Sequence, residues 1–187
     1  VKFEIKRQGM GAGLYVAYDG TEFSIRLYNS DGESMEEEKA RQLREVRAHK
    51  KYLKVSIPNL GTILYYPNGI EDYIDSLSSE LSFRKNISVL ADCQSTPIAA
   101  VIPGLFERFG IKTTLFNGLV SGYGTPKPKE EFIQSLKRER YNLGIRFLEH
   151  VEIYGSDGTV IDEGRSISDA LLFIKEYKDE GNGRVIR

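Results

Sequence analysis

Few residues of this chain have the type and spacing that chemistry asks for. Gly9-Met-Gly-Ala-Gly13 is glycine-rich, as phosphate cradles are, but such a cradle follows a strand and opens a helix. This run opens a strand, so a turn is the favoured reading. Asp19 is either an altered phosphoacceptor or half of an Asp19-Gly20 turn pair, and Asp-Gly favours the turn. The two histidines stand far apart: His49 at a basic helix end, His150 in a polar turn or edge strand. With one cysteine beside them, neither a metal site nor a Cys–His nucleophile is supported. Cys93 follows a buried-type strand and reads as a small core residue rather than a reactive thiol.

Two features suit recognition instead. Lys39, Arg41, Arg44, Arg47, Lys50, Lys51 and Lys54 form a basic run that could meet nucleic-acid phosphates. Near-zero net charge and few interleaved aromatics favour a solvated helix face. The long loop Ser121 to Lys129 (SGYGTPKPK) is the better recognition surface, because loops of this size usually carry function or are disordered. The candidate interaction residues are therefore Arg44, Arg47, Lys50, Lys51, Tyr123, Lys127 and Lys129.

The whole chain sets the bounds. Its 187 residues, 40% apolar and 28% charged, are enough for one large or two small folded domains. A net charge of −1 gives no long-range pull on nucleic acid or acidic membranes. One cysteine excludes an internal disulfide framework and suits a reducing, cytoplasmic setting; no stretch approaches a bilayer span, and no signal peptide is visible. Plentiful charge and Tyr, no Trp, and scarce Cys and Met lean toward a thermophile.

The elements that must position these residues read as follows. The first 30 residues read as strands, with Gly13 to Tyr18 and Phe23 to Tyr28 joined as a hairpin. Ser34, three residues before Glu37, suggests a capping box opening a helix to about Lys50, acidic at its start and basic at its end. Leu60 to Tyr66 (LGTILYY) is strand-like. Ile70 to Leu81 places Ile70, Tyr73, Ile74, Leu77 and Leu81 on one helical face. Ile87 to Ala91 is a short buried strand; Thr96-Pro97 starts a helix to Phe109. Strand Ile111 to Phe116, the loop 117–129, helix Glu130 to Arg140 and strands Leu143 to Phe147 and Val151 to Tyr154 follow. A helix from Ser166 to Lys178 and a last strand, Arg184 to Ile186, close the chain. Strands alternating with helices predict an α/β fold with a mainly parallel, covered sheet, preceded by a smaller hairpin-plus-helix unit. The expected domains are 1–84 and 85–187, with the boundary within 82–86.

An ordered series of phrases carries a resemblance. Asp92-Cys93, Phe106-Glu-Arg-Phe-Gly110, Asn117, Pro126-Lys-Pro128 and Leu143-Gly-Ile-Arg-Phe147 resemble the second domain of the phosphomannomutase/phosphoglucomutase family. DGTVIDEGRSISDALLFIKEY resembles the strand, turn and helix that close that domain. GAGLYVAYDGTEFSIRLYNSDGESMEEE resembles the end of the family's first domain.

The departures shape what the resemblance implies. Where the family has Thr-Ala-Ser-His-Asn-Pro, whose serine shuttles the phosphoryl group, this chain has Val16 to Thr21, shorter and without serine or histidine. Where the family has Asp-Gly-Asp-Ala-Asp-Arg to hold Mg²⁺, Phe147 leads into Leu148 to Tyr154, and Glu149 and Glu152 do not replace the triad. The resemblance thus implies no catalytic, cofactor-binding or metal residues. It implies a binding or auxiliary subunit of a larger complex, with a protein partner or homo-oligomer and sugar phosphate as candidate partners. A fragment or split subunit of an active mutase, and a nucleic-acid-binding protein using helix 39–54, are the alternatives. No membrane partner is expected.

Overall fold

The structure, a computed structural model, describes residues 1–18, 21–118 and 126–178. The Asp19-Gly20 turn, Tyr123 and the expected strand 184–186 lie outside the described residues. Two compact units divide the chain at residues 69 and 70.

The first unit opens with a helix where the sequence suggested only strands: α1 (Lys2–Gln8), capped by Gly9 in left-handed backbone. Its anchor is the buried Ile5. Strands β1 (Ala12–Tyr18) and β2 (Phe23–Asn29) pair antiparallel, from Ala12 opposite Asn29 to Tyr18 opposite Phe23. α1 packs on one face of this hairpin, and Gly13 makes that approach possible: a Cβ there would sit 2.3 Å from Ile5 Cδ1. Helix α2 (Glu37–Ala48) follows. The proposed Ser34 capping box is not formed: Glu36 is the N-cap, no side chain caps the helix, and Ser34 bridges Tyr28 instead. Nor is Leu60 to Tyr66 a strand. Only a 3₁₀ turn, Ile57–Asn59, precedes it, and among the described residues neither sheet includes it.

The second unit is built on a five-stranded sheet of β3 (Ser88–Asp92), β4 (Lys112–Phe116), β5 (Leu143–Phe147), β6 (Val151–Gly155) and β7 (Val160–Gly164). Their spatial order is β4-β3-β5-β6-β7. The pairs β3–β4 and β3–β5 are parallel; β5–β6 and β6–β7 are antiparallel. The sheet is therefore mixed, parallel where helices cross over and antiparallel where short turns suffice.

Helices cover both faces, which is why β3 and β5 are near-continuous apolar runs. On one face Val89, Ala91, Leu143, Ile145 and Ile153 pack with Ile74 of α3 (Gly69–Glu80), with Ile102, Leu105 and Phe106 of α4 (Ile102–Arg108), and with Leu171 and Ile174 of α6 (Ile167–Glu176). On the other face Leu90 and Tyr154 pack with Phe132 and Leu136 of α5 (Lys129–Arg138). α5 lies close over β5, since a Cβ on Gly144 would come within 2.8 Å of both Phe132 and Leu136.

Details differ from the sequence expectation. α3 packs into the second unit's core, and the compact units part at 69/70. Thr96-Pro97 opens a 3₁₀ turn, Pro97–Ala100, before α4; the Thr96 hydroxyl donates to the Cys93 carbonyl at 2.8 Å rather than capping. α6 does carry a full capping box, between Ser166 and Asp169.

Candidate functional site

In an open α/β sheet, ligands gather where neighbouring strands send their chains in opposite directions. Here β3 leaves through α4 toward β4, while β5 turns the other way into β6. The carboxyl ends of β3 and β5 are that switch point, and they hold the buried charges of the core, Asp92 and Arg146.

Strand register builds the cluster. Asp92 lies opposite Arg146, and Arg146 opposite Glu152, so three charged residues form a row across β3, β5 and β6. Period-two alternation points all three toward α5, together with Leu90, Gly144 and Tyr154. Arg146 Nε donates to Asp92 Oδ2 at 2.9 Å, and Arg146 Nη1 to Glu152 Oε2 at 3.1 Å. One guanidinium thus spans two carboxylates, in the geometry that makes arginine the preferred buried cation.

Every carboxylate oxygen of Asp92 is engaged further. Oδ1 accepts from Asn117 Nδ2 at 2.9 Å and from the Gln94 backbone N–H at 3.2 Å. Oδ2 also accepts from the Gln94 side chain at 2.5 Å. Asn117 in turn accepts from the Lys127 N–H at 2.7 Å and donates to the Lys127 carbonyl. Gln94, Ser95 and Asn117 all adopt positive φ, and the Ser95 hydroxyl is buried without a hydrogen-bond partner. Strain and an orphaned donor concentrate where functional sites commonly do.

Glu152 is the other hub. Its Oε2 accepts from the Tyr154 hydroxyl at 2.5 Å and lies 3.7 Å from Lys129 Nζ. His150 Nε2 is 3.5 Å from Oε1. Burial, the largest influence, pushes the Glu152 carboxyl upward, yet the Tyr154 hydroxyl, Lys129 and Arg146 together hold it below the ordinary value. Burial and the Glu152 hydrogen bond raise the Tyr154 phenol. Lys129 is raised by its interaction with Tyr154, over whose ring it sits at 5.2 Å.

These contacts test whether the cluster would take a divalent cation. Both oxygens of Asp92 and Oε2 of Glu152 are already taken by Arg146, Lys129 and neutral donors, so these carboxylates make a poor seat for a hard metal ion. Among the described residues, no group of three His, Cys, Asp or Glu side chains converges as metal ligands.

The sequence-derived candidates fall into two sets. Lys127 and Lys129 flank the switch-point cluster, Lys127 lying 5.7 Å over the Phe116 ring. Arg44, Arg47, Lys50 and Lys51 belong to the first unit. Arg44 is paired with Glu37, as Arg41 is with Glu38 and Glu45. Among the described residues, Arg47, Lys50 and Lys51 make no ion pair. His49 Nδ1 lies 2.9 Å from the Glu45 carbonyl, its own helix's end. Cys93 is fully buried and its thiol is pushed up to about 12 by burial and then by the Asp92 charge, so it is no thiolate at neutral pH.

Arg146, Asn117 and Tyr154 were not among the candidates read from sequence. The signal was there: a charge inside the buried run Leu-Gly-Ile-Arg-Phe is expensive unless paired, and its partners had to lie on adjacent strands.

Comparison with known proteins adds relatives. No family model matches the chain. Over 133 residues, 69% of the chain, it is 23% identical to a protein from Methanococcus vannielii named phosphoglucosamine mutase. A protein of the same name from Methanococcus aeolicus is 25% identical over 137 residues. The chain spans 30% of the length of each. Its fold matches a phosphoglucomutase/phosphomannomutase family protein from Burkholderia thailandensis with a TM-score of 0.63 and 13% identity, covering 80% of this chain and 34% of that one. The ordered phrases from Asp92 to Phe147, the sequence relatives and the shared fold together support a relationship to the phosphohexomutase family, over about a third of those relatives' length.

Proposed function

We propose that this phosphohexomutase relative works by binding, as an auxiliary or regulatory subunit of a larger assembly, and does not itself move a phosphoryl group between positions of a sugar. The observation that carries the reading is the ion-paired row Asp92–Arg146–Glu152 at the carboxyl ends of β3 and β5 and the start of β6. Phosphoryl transfer needs carboxylates free to hold a cation against phosphoryl oxygens. Here an arginine holds them instead. Two further features support the reading: the chain passes from Phe147 to Val151 through only Leu148, Glu149 and His150, and the run Val16 to Thr21 offers no serine nucleophile.

Incubation of the purified chain with hexose phosphates and Mg²⁺, followed by phosphorus NMR, tests it. The expected result is no redistribution of the phosphoryl group above the uncatalysed rate. Magnesium-dependent turnover would refute a purely binding role.

The short match to its relatives supports one second reading, a split subunit completed by another polypeptide. That reading predicts turnover only when the chain is mixed with a polypeptide carrying the segments of its relatives that it does not match.

A further inference from the structure

The β1–β2 hairpin shows its apolar side to solvent. Three cross-strand pairs line one face in register: Leu14 with Leu27, Val16 with Ile25, and Tyr18 with Phe23. α1 packs against the opposite face, where Gly13 lies. An ordinary half-buried hairpin alternates the other way, apolar toward its cover and polar toward water. Here Leu14 is 58% exposed, Val16 50%, Phe23 74% and Ile25 57%. None of the six residues is charged, and the two rings at the turn end already touch, tilted by 32° with centroids 4.6 Å apart.

We infer that this face is the interface between two copies of the chain, packed sheet on sheet about a two-fold axis through the Val16–Ile25 pair. Three arguments select a second copy. The face tapers, with two aliphatic side chains at the Leu14–Leu27 end and two rings at the Tyr18–Phe23 end. A two-fold through the middle pair lays the slim end of one copy against the bulky end of the other, so the surface is complementary to itself. No charge on the face sets like against like across that axis, and a net charge of −1 adds no global repulsion. The area also suffices. Tyr18 is 47% exposed and Leu27 half-buried, and the six side chains together present on the order of 500 Å² of apolar surface. That is the apolar share of an interface burying about 800 Å² per partner, the size of an ordinary stable complex. A hairpin of two strands is marginal by itself, and a face-to-face partner supplies the layer it lacks.

The test is the mass of the purified chain in solution, by sedimentation equilibrium from about 1 to about 100 μM, a span over which micromolar association is visible. The expected species is a dimer of about twice 21.2 kDa. Val16→Lys and Ile25→Lys each place two charges at the axis and are expected to give monomers, while Leu64→Lys, outside the hairpin, stays dimeric. A wild-type monomer throughout the range overturns the inference, and so does a dimer that survives both hairpin substitutions. The wild-type mass decides the matter even where a variant fails to fold. A monomer would point to another polypeptide as the cover.

Discussion

The chain contains two sheets with the same kind of apolar alternation and opposite fates. In the second unit, Val89 and Leu90 sit on opposite faces of β3 and both are buried, because α4 and α6 cover one face and α5 the other. In the first unit, β1 and β2 carry an equally apolar pattern, yet among the described residues Leu14, Val16, Phe23 and Ile25 on one face stay exposed. The difference teaches that alternation specifies which face a strand offers, while burial depends on a second layer encoded elsewhere. The same holds for charge. Arg146 is buried because register places Asp92 and Glu152 on either side of it, whereas Arg47, on a solvated helix, has no such demand.

This comparison can be broken by substitution, and the largest effect belongs to the buried row. Arg146→Ala leaves Asp92 buried without its cation and should cost about 3–5 kcal/mol. Urea unfolding followed by tyrosine near-ultraviolet dichroism measures it. A loss under about 1 kcal/mol would mean the row is effectively solvated.

Acid probes the same row more gently. Because the folded protein holds the Glu152 carboxyl below its ordinary value near 4.3, its contribution is complete above that pH and is lost as pH falls through the lowered folded-state value. Melting temperature should therefore drop below about pH 4 more steeply in the wild type than in Glu152→Gln.

The α6 cap comes next. Ser166→Ala removes the hydroxyl that accepts from the Asp169 N–H and should cost about 1 kcal/mol, read by the same urea titration. The smallest effect is expected in the first unit. Ile63, 98% exposed, should tolerate Ile63→Ser within about 0.5 kcal/mol, despite sitting in a run that reads as a strand. A loss of about 2 kcal/mol there would show that LGTILYY is buried in solution.

What was legible in the sequence follows the same division. Most of the strands and helices from Ile87 to Tyr177 were readable because each carries its own period and punctuation, Gly110 after α4, Ser166 and Asp169 at the start of α6, whereas β7 entered only through the family resemblance of its phrase. β4, β5 and the α5 face needed no tertiary knowledge. Leu60 to Tyr66 misled because β-propensity describes a fit to a pleated surface, and no strand lies beside it among the described residues. Residues 2–8 form a helix anchored by one residue, Ile5, against Gly13, too short for any periodicity to announce. The candidate site was half visible. Lys127 and Lys129 were singled out locally, while Asp92 entered only as part of the Asp92-Cys93 phrase. Arg146 and Glu152 matter only through the order β3-β5-β6, which pairs residues 54 positions apart in one case and six in the other.

Fixed cations, Arg146 foremost, hold the Asp92 and Glu152 carboxylates at the switch point, where a divalent ion would otherwise compete for them. The most direct measurement is the melting temperature of the second unit in EDTA and in about 10 mM Mg²⁺, since a ligand bound only by the folded state must raise it. The account predicts no difference between the two beyond a small effect of ionic strength. A saturable rise with Mg²⁺, absent in Asp92→Asn, would contradict it.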